Sequence, residues 1–230
     1  MSGFRGEVVR LESRADGFAF DAYRVRPADV RRGGLVMLHA IWGVTPHLRA
    51  LADSFAEDGY ETIVPSLADR RERGFPAVDI DESARARRMA YADETDWTTT
   101  LGDVQAAIDA LAPPVFGVGF CYGGTVAWMA AARCEGLAAV SAFYGGGIAA
   151  HRDETPRCPV VLHFGRRDEL IPLPDVAAIE AAHPDIPVWL YDAGHAFMAP
   201  SDFHADSAHL GRLRTLQLFH RSTGRGEAGG

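Results

Sequence analysis

The segment Val115–Arg133 reads VFGVGFCYGGTVAWMAAAR, and it decides which architecture the chain can adopt. Residues 115–119 form a short apolar run, which is typical of a strand buried on both faces. Residues 122–133 predict a helix, so the strand passes into the helix directly at Cys121. Glycines two positions before and two positions after the cysteine remove the Cβ atoms that would collide in a tight turn. The segment therefore predicts a strand–turn–helix unit that holds the Cys121 side chain away from the backbone.

This position makes Cys121 a candidate nucleophile. The first N–H groups of the following helix would face its sulfur, and their partial positive charge favours a thiolate and any oxyanion that forms beside it. The alternative is an inert cysteine in a glycine-rich turn, since free cysteines are often part of a protein core.

Strand and helix patterns alternate on both sides of this unit. Two segments near the N-terminus alternate apolar and polar residues, as half-buried antiparallel strands do, whereas later segments are apolar runs typical of parallel strands. This order predicts a single α/β domain over residues 1–220, with a mostly parallel twisted sheet and helices on both faces in three layers. The predicted strands are 8–11, 18–25, 34–40, 61–64, 115–119, 138–143, 160–164 and 188–190, and the predicted helices are 46–58, 98–111, 122–133, 175–182 and 205–219.

Two segments fit this order less well. Residues 69–96 carry six arginines among several acids and predict an exposed excursion with some helix, either a lid or a solvated surface. Residues 221–230 are rich in glycine and charge, which predicts a disordered tail.

A cysteine nucleophile needs a general base, and the base needs an acid that orients it. Where the nucleophile stands on a strand–turn–helix unit, the order along the chain is nucleophile, acid, histidine. Asp168 follows the strand at 160–164 and His195 follows the last strand, so both would lie at the same edge of the sheet as Cys121. Glu169 is the alternative acid, and a turn or helix cap is the alternative role for Asp168.

Two backbone N–H groups are candidates for an oxyanion hole. They belong to Tyr122, the residue after the nucleophile, and to Ile41, which follows the strand at 34–40. The remaining histidines are expected to be structural or exposed, and they show no spacing typical of metal ligands. They are His39, His47, His151, His163, His183, His204, His209 and His220.

Composition excludes several classes of protein. The formal net charge is -8, from 31 acidic and 23 basic residues, which disfavours nucleic acid or an anionic membrane surface as the main partner. No apolar run approaches the roughly 20 residues that span a bilayer, and no secretory signal is recognised at the N-terminus. The three cysteines have neither disulfide-framework nor zinc-site spacing. We expect a cytoplasmic protein, as a monomer or small homo-oligomer, that acts on a small molecule.

From about Val8 to Phe219 the chain resembles the dienelactone hydrolase family, whose members have the α/β-hydrolase fold. The resemblance implies a catalytic triad of Cys121, His195 and Asp168. It also implies hydrolysis of a lactone or another ester without metal or organic cofactor. The motifs that carry it are Ile41-Trp42-Gly43-Val44, Gly119-Phe120-Cys121-Tyr122-Gly123-Gly124, Phe164-Gly165 with Asp168, and Ala193-Gly194-His195-Ala196-Phe197.

Two departures from the family pattern bear on the chemistry. Well-studied members carry a glutamate that controls the protonation of the cysteine, where this chain has Ala40, so the thiol would pair directly with His195. They also carry a carboxylate-binding arginine where this chain reads Met198-Ala199-Pro200-Ser201, and a second such arginine corresponds to Arg85. The absence of the arginine from residues 198–201 weakens the expectation of an anionic lactone as substrate.

Aromatic residues near predicted strand ends are candidates for the walls of an apolar substrate pocket, with ordinary core packing as the alternative. They are Trp42, Tyr122, Tyr144 and Phe197.

The sequence thus predicts a cysteine hydrolase that cleaves an ester or lactone through a thioester at Cys121. One alternative is a ligand-binding or regulatory relative with little or no turnover, which Ala40 and the missing arginine favour. Another is a thiol redox sensor at Cys121, which would need a resolving partner that the spacing of Cys134 and Cys158 does not indicate.

Overall fold

An eight-stranded sheet forms the centre of the computed structural model, which describes residues 4–73 and 82–223. The strand order is β1-β2-β4-β3-β5-β6-β7-β8. The pairs β1–β2 and β2–β4 are antiparallel, and all later pairs are parallel. The strands are β1 (Glu7–Glu12), β2 (Ala19–Val25), β3 (Gly33–Leu38), β4 (Tyr60–Pro65), β5 (Val115–Phe120), β6 (Leu137–Phe143), β7 (Val160–Gly165) and β8 (Val188–Tyr191).

Helices cover both faces of this sheet. Helices α1 and α6 lie on one face, where Arg212 of α6 bonds to the Ser54 carbonyl and to Asp58 at the end of α1. Helices α3 and α4 contact each other and β3 on the opposite face. The predicted three-layer, mostly parallel α/β architecture is confirmed. The helices are α1 (Pro46–Glu57), α2 (Glu82–Asp93), α3 (Trp97–Asp109), α4 (Tyr122–Arg133), α5 (Leu173–Ala182) and α6 (Ala205–Ser222).

The burial of the strands follows from this layering. Every residue of β3, β4, β5 and β7 is buried, as expected for strands with helices above and below them. The edge strand β1 is instead mostly exposed, with partly buried residues at alternating positions near its end. Continuous apolar runs in the sequence therefore correspond to central strands. The alternating run at the N-terminus corresponds to the edge strand β1.

Local signals set the helix ends. The Thr45 side chain accepts a hydrogen bond from the N–H of Leu48 at 3.1 Å, and Pro46 occupies the first position of α1. Asp96 caps α3 by accepting from the N–H of Thr98 at 2.9 Å. Residues 39–45 connect β3 to α1 and are called the Ile41 loop below. The two caps fix where α1 begins after this loop and where α3 begins after the arginine-rich excursion.

The structure differs from the sequence prediction at two segments. A 3₁₀ turn, Leu67–Arg70, begins the arginine-rich excursion, which also contains the 12-residue helix α2; residues 74–81 lie outside the described part of the chain. Helix α6 extends to Ser222, past the predicted start of the tail at residue 221, because the Ser222 side chain is buried and donates to the Leu218 carbonyl at 3.0 Å. Residues 224–230 of the predicted tail lie outside the described residues.

Within residues 4–73 and 82–223, no helix is both long enough and apolar enough to cross a lipid bilayer.

Candidate active site

Cys121 stands on a strained turn between β5 and α4. Its φ and ψ are 55° and -118°, a conformation that a residue with a Cβ atom rarely adopts. Among the described residues, Tyr144 is the other non-glycine residue with positive φ. The N–H of Cys121 donates to the carbonyl of Phe143, the last residue of the neighbouring strand β6, at 3.0 Å. Such strain persists only where the surrounding structure enforces it, which is common at functional sites.

Glycines around Cys121 are required by close approach of backbone to backbone. A Cβ on Gly119 would overlap the carbonyl oxygen of Gly123, and a Cβ on Gly123 would overlap the carbonyl oxygen of Leu38 at the end of β3. On Gly124 it would lie 2.5 Å from the Phe143 carbonyl oxygen. The glycine pattern in the sequence therefore reflects a turn that packs tightly between the ends of β3 and β6.

His195 lies beside the sulfur of Cys121. Its Nε2 atom is 3.1 Å from Sγ, and its Nδ1 atom is 2.7 Å from Oδ2 of Asp168. The three residues follow β5, β7 and β8, whose carboxyl ends meet at one edge of the sheet. The structure thus brings together the three residues that the sequence named as a triad.

Asp168 is held as a fixed hydrogen-bond acceptor. Its side chain is fully shielded from solvent, and its Oδ1 atom accepts from the N–H groups of Leu170 at 2.8 Å and Ile171 at 3.1 Å. Its Oδ2 atom remains for His195, which must donate from Nδ1. Glu169, the alternative acid, is exposed.

The surroundings of His195 favour its protonated form. Burial lowers the pKa of His195, but hydrogen bonds and charge interactions with Asp168 and Cys121 outweigh burial and raise the pKa from 6.5 to about 9. A protonated imidazole can donate from Nε2 to the sulfur while Nδ1 donates to Asp168. The geometry therefore suits a thiolate–imidazolium pair.

Among the described residues, His195 is the one side chain that forms a hydrogen bond with the sulfur of Cys121. Ala40, at the position of the family glutamate, is partly buried and offers no carboxylate. The sulfur and the imidazole therefore contact each other directly.

A small cavity lies next to the two predicted oxyanion donors. It has a volume of about 80 Å³, and Ile41 and Tyr122 both line it. The hydroxyl of Tyr122 accepts from the Thr95 side chain at 3.1 Å, which ties the start of α4 to the segment before α3. Its lining includes Arg70, Arg71 and Arg88 but none of Trp42, Tyr144 and Phe197, so this cavity is not the aromatic-walled pocket that the sequence suggested.

The predicted pocket aromatics occupy two different environments. Tyr144 and Phe197 are 2% and 0% exposed, and their ring centroids lie 5.2 Å apart beneath His195. Both rings are buried in the core, because strand ends supply core residues as well as site residues. The Tyr144 ring also packs against the imidazole of His195, 5.1 Å from its centroid. Trp42 is partly buried on the Ile41 loop, with the Arg88 guanidinium 5.5 Å from its ring centroid.

Arg88 and Arg85 lie on the same helix but have different surroundings. The family resemblance indicated Arg85 as a carboxylate-binding arginine. Arg85 is exposed on α2, whereas Arg88, almost one helical turn later, is 7% exposed and lines the cavity beside Ile41 and Tyr122. Burial lowers the pKa of Arg88. Spacing on a helix that carries several arginines does not reveal which one faces inward, and for that reason the sequence missed Arg88.

The other cysteines and histidines form no second centre in the described part of the chain. Burial raises the pKa of Cys134 to about 12 and that of Cys158 to about 11, so neither thiol is a reactive partner for Cys121. His163 is fully buried between Ser141 and the Tyr191 hydroxyl, and burial lowers its pKa to about 3, as for a structural histidine. No group of three or more potential metal ligands occurs among the described residues.

Comparison with known proteins identifies the family. The model of the dienelactone hydrolase family matches residues 20–223. The chain belongs to this family. The family is hydrolytic, so this member of the dienelactone hydrolase family is an enzyme.

Relatives within the family cover nearly the whole chain. The carboxymethylenebutenolidase of Pseudomonas putida is 28% identical over 217 residues, covering 88% of this chain and 92% of that protein. A putative carboxymethylenebutenolidase of Azospirillum brasilense is 29% identical over 230 residues, covering 94% of this chain and 99% of that protein.

Solved structures of family members confirm the α/β-hydrolase fold. A putative dienelactone hydrolase from Klebsiella pneumoniae superposes with a TM-score of 0.80 at 24% identity, covering 94% of this chain and 99% of that one. A dienelactone hydrolase-like promiscuous phosphotriesterase from metagenomic libraries superposes with a TM-score of 0.75 at 20% identity, covering 96% of this chain and all of that one.

Proposed function

We propose that this protein hydrolyses a carboxylic ester or lactone through a thioester on Cys121, with His195 as the proton carrier and Asp168 as its orienting acid. The observation that carries the proposal is the continuous chain of contacts from Sγ through the imidazole to a buried carboxylate, at 3.1 Å and 2.7 Å. A nucleophile, a base and an orienting group in this order are the parts that acyl transfer needs.

The first half of the reaction forms the acyl-enzyme. The Cys121 thiolate attacks the carbonyl carbon, a C–S bond forms, and the π electrons of the carbonyl move to its oxygen. The N–H groups of Tyr122 and Ile41 stabilise this oxyanion. When the carbonyl re-forms, the C–O bond to the alcohol breaks, and the departing alkoxide takes the proton from Nε2 of His195.

The second half releases the acid. His195, now neutral, removes a proton from a water molecule while that water attacks the thioester carbon. The C–S bond breaks, Cys121 leaves as a thiolate and His195 is again an imidazolium. A lactone leaves as one open hydroxy acid, whereas an open-chain ester gives separate alcohol and acid.

The direct contact between sulfur and imidazole supports a thiolate that exists before substrate arrives. Ala40 brings no carboxylate to compete for the thiol proton, and His195 stays protonated up to pH about 9. A His195→Gln variant should therefore react much more slowly with iodoacetamide at neutral pH. Equal alkylation rates in both proteins would contradict the resting ion pair.

Arg88 supports a substrate that carries a carboxylate or another acceptor group near the scissile carbonyl. Arg88 lines the cavity that Ile41 and Tyr122 also line, so an anionic group in this cavity would be bound beside the two residues proposed as oxyanion donors. The relatives named carboxymethylenebutenolidase fit such a substrate. This proposal replaces Arg85 by Arg88 as the substrate-binding arginine.

Hydrolysis of two substrates tests both parts of the proposal. Wild type, Cys121→Ala, Arg88→Gln and the matched surface variant Arg85→Gln are each assayed with dienelactone and with a neutral aryl acetate. Cys121→Ala should abolish both activities, and Arg88→Gln should raise KM for dienelactone at least about tenfold while Arg85→Gln does not. Full activity of Cys121→Ala would overturn the nucleophile, and equal effects of both arginine variants would overturn the role of Arg88. Binding of dienelactone without turnover by the wild type would favour the ligand-binding alternative.

A further inference from the structure

His39, the residue directly after β3, is a buried histidine beside the loop that contains Ile41. It is 2% exposed. Its Nδ1 atom lies 2.6 Å from the carbonyl oxygen of Ala40, and its Nε2 atom lies 3.0 Å from the backbone nitrogen of Leu67. The triad does not use this side chain, and the sequence offered no reason to separate it from the other structural histidines.

The two contacts of His39 define where its proton sits. The backbone N–H of Leu67 can only donate, so Nε2 must accept and carries no proton. Nδ1 then carries the proton and donates it to the Ala40 carbonyl. Burial lowers the pKa of His39, and the hydrogen bond to Ala40 and the charge of Asp69 oppose this effect only in part, so the ring is neutral.

The carbonyl of Ala40 is therefore held by two donors. Besides His39, the N–H of Gly43 donates to it at 3.2 Å. The peptide bond between Ala40 and Ile41 is trans, so the N–H of Ile41 points opposite to this carbonyl. Fixing the carbonyl fixes the direction of the N–H.

The chain just before this peptide packs against the start of α4. The Cα of Gly123 is packed so closely against the carbonyls of Leu38 and His39 that no Cβ fits there. The Ile41 loop and the first turn of α4 thus meet, and Ile41 and Tyr122 line the same cavity. The direction of the Ile41 N–H, one of the two proposed oxyanion donors, therefore depends on how the Ala40 carbonyl is held.

We propose that His39 is a positioning residue for acyl transfer: by donating from Nδ1 to the Ala40 carbonyl, it holds the Ala40–Ile41 peptide so that the Ile41 N–H faces the developing oxyanion. The inference rests on the proposed function and assigns a source of preorganisation to one of its two oxyanion donors. An oxyanion donor is effective only when its orientation is fixed before the reaction begins.

Two amide variants separate the two nitrogen contacts. In His39→Asn the side-chain amide can take the place of Nδ1 and donate to Ala40, but it is too short to reach Leu67. In His39→Gln the side-chain oxygen can take the place of Nε2 and accept from Leu67, but the donor to Ala40 is lost. His39→Gln should therefore impair the oxyanion donor more than His39→Asn does.

Two reactions of the same cysteine provide the readout. Hydrolysis of an aryl acetate passes through an oxyanion, whereas alkylation of Cys121 by iodoacetamide is a displacement at saturated carbon and forms none. We expect His39→Gln to lower kcat for the ester about 10-fold to 100-fold, since removal of an oxyanion donor costs about 10²-fold to 10³-fold. Its alkylation rate should stay within about twofold of the wild type, and His39→Asn should keep kcat within about tenfold of the wild type.

Three other results would overturn the proposal, and they can be told apart. Equal losses in hydrolysis and alkylation would show a general disturbance of Cys121, and unchanged hydrolysis in His39→Gln would show that the contact is dispensable. Hydrolysis that survives complete alkylation of the wild type would overturn Cys121 as nucleophile, and therefore the proposed function itself, rather than the role of His39 alone.

A spectroscopic measurement keeps the proposal testable if His39→Gln does not fold. Nitrogen-15 NMR of histidine-labelled wild-type protein should show a protonated Nδ1 and an unprotonated Nε2 for His39, assigned with His39→Asn. The opposite tautomer would remove the donor to Ala40 and contradict the proposal.

Discussion

At the scale of single residues, the site combines a strained cysteine, the proposed nucleophile, with a shielded carboxylate. The positive φ of Cys121 is sustained because β3 and β6 leave no room for another path of the backbone around Gly123 and Gly124. Asp168 is shielded from solvent, yet all its hydrogen bonds come from donors of defined direction. The imidazole between them can therefore neither rotate freely nor lose its proton easily.

Replacing the acid tests the orientation of His195. Asp168→Asn removes the charge that favours the imidazolium and can present an N–H to Nδ1, which stabilises the wrong tautomer. We expect kcat/KM for an aryl acetate to fall about a hundredfold or more. Glu169→Gln, the neighbouring exposed carboxylate, should stay near wild type and serves as the control. Comparable losses in the two variants would contradict the assignment of the acid.

The raised pKa of His195 predicts the alkaline limit of activity. The imidazolium must protonate the leaving alkoxide, and it is the form present below pH about 9. As the pH rises through this value His195 loses its proton, so kcat/KM should fall above about pH 9 rather than near pH 6.5. The measurement is a pH profile of kcat/KM with an ester that does not ionise. A descending limb close to pH 6.5 would show that Asp168 and Cys121 do not stabilise the charge.

At the scale of elements, the periodicity of the sequence predicts the strands and helices, because central strands and amphipathic helices bury different patterns of residues. Strand β5 was expected over 115–119 and runs over Val115–Phe120, and helix α3 was expected over 98–111 and runs over Trp97–Asp109. Helix α2 was expected only as some helix within residues 69–96, without bounds. Its mostly exposed, arginine-rich sequence lacks the apolar stripe that reveals a helix.

The turn between β5 and α4 is the element whose geometry is most constrained. Gly123→Ala would push a methyl group into the Leu38 carbonyl, so the end of β3 or the start of α4 must move. We expect loss of at least about 90% of ester hydrolysis together with a lower melting temperature, because the oxyanion donors lie on these two segments. Gly146→Ala is the matched control, since a Cβ there meets nothing closer than 3.7 Å. A Gly123→Ala protein with normal activity would contradict the description of the turn.

At the scale of the whole molecule, a partly buried ion-pair network joins segments that are far apart in the chain. Arg70, in the 3₁₀ turn after β4, binds Asp103 of α3 with two hydrogen bonds of 2.8 Å and Asp16 of the β1–β2 loop with two of 2.9 Å. The same turn contains Leu67, which contacts His39. The network therefore fixes the base of the arginine-rich excursion beside the site.

Breaking this network should cost stability. Asp103→Asn leaves Arg70 without its fully buried partner, and we expect the free energy of unfolding to fall by about 2 kcal/mol, as for a hydrogen-bonded charge. Asp109→Asn on the same helix removes an ion pair with Arg14 that is well exposed, and it should cost less than about 1 kcal/mol. Urea unfolding of the three proteins measures the difference. A larger loss in Asp109→Asn would contradict the ranking.

The sequence predicts contacts that follow from topology and misses those that depend on side-chain direction. Cys121, His195 and Asp168 were predictable together because parallel strands deliver their following loops to one edge of the sheet. The sequence could not tell that Arg88 rather than Arg85 is buried at the cavity, because both lie on an arginine-rich helix whose inward face is set only by packing. Tyr144 and Phe197 were predicted as possible pocket walls, but they lie beneath the site, since strand ends serve the core and the site alike.

The most direct test of the account is to observe the acyl-enzyme. Wild type and Cys121→Ala are mixed with an aryl acetate, quenched in acid within one turnover and analysed by intact mass and peptide mapping. The account predicts one acetyl group on Cys121 of the wild type, formed and lost at rates compatible with turnover, and none in the variant. Rapid hydrolysis by Cys121→Ala, or wild-type turnover with the acetyl group on another residue, would contradict it.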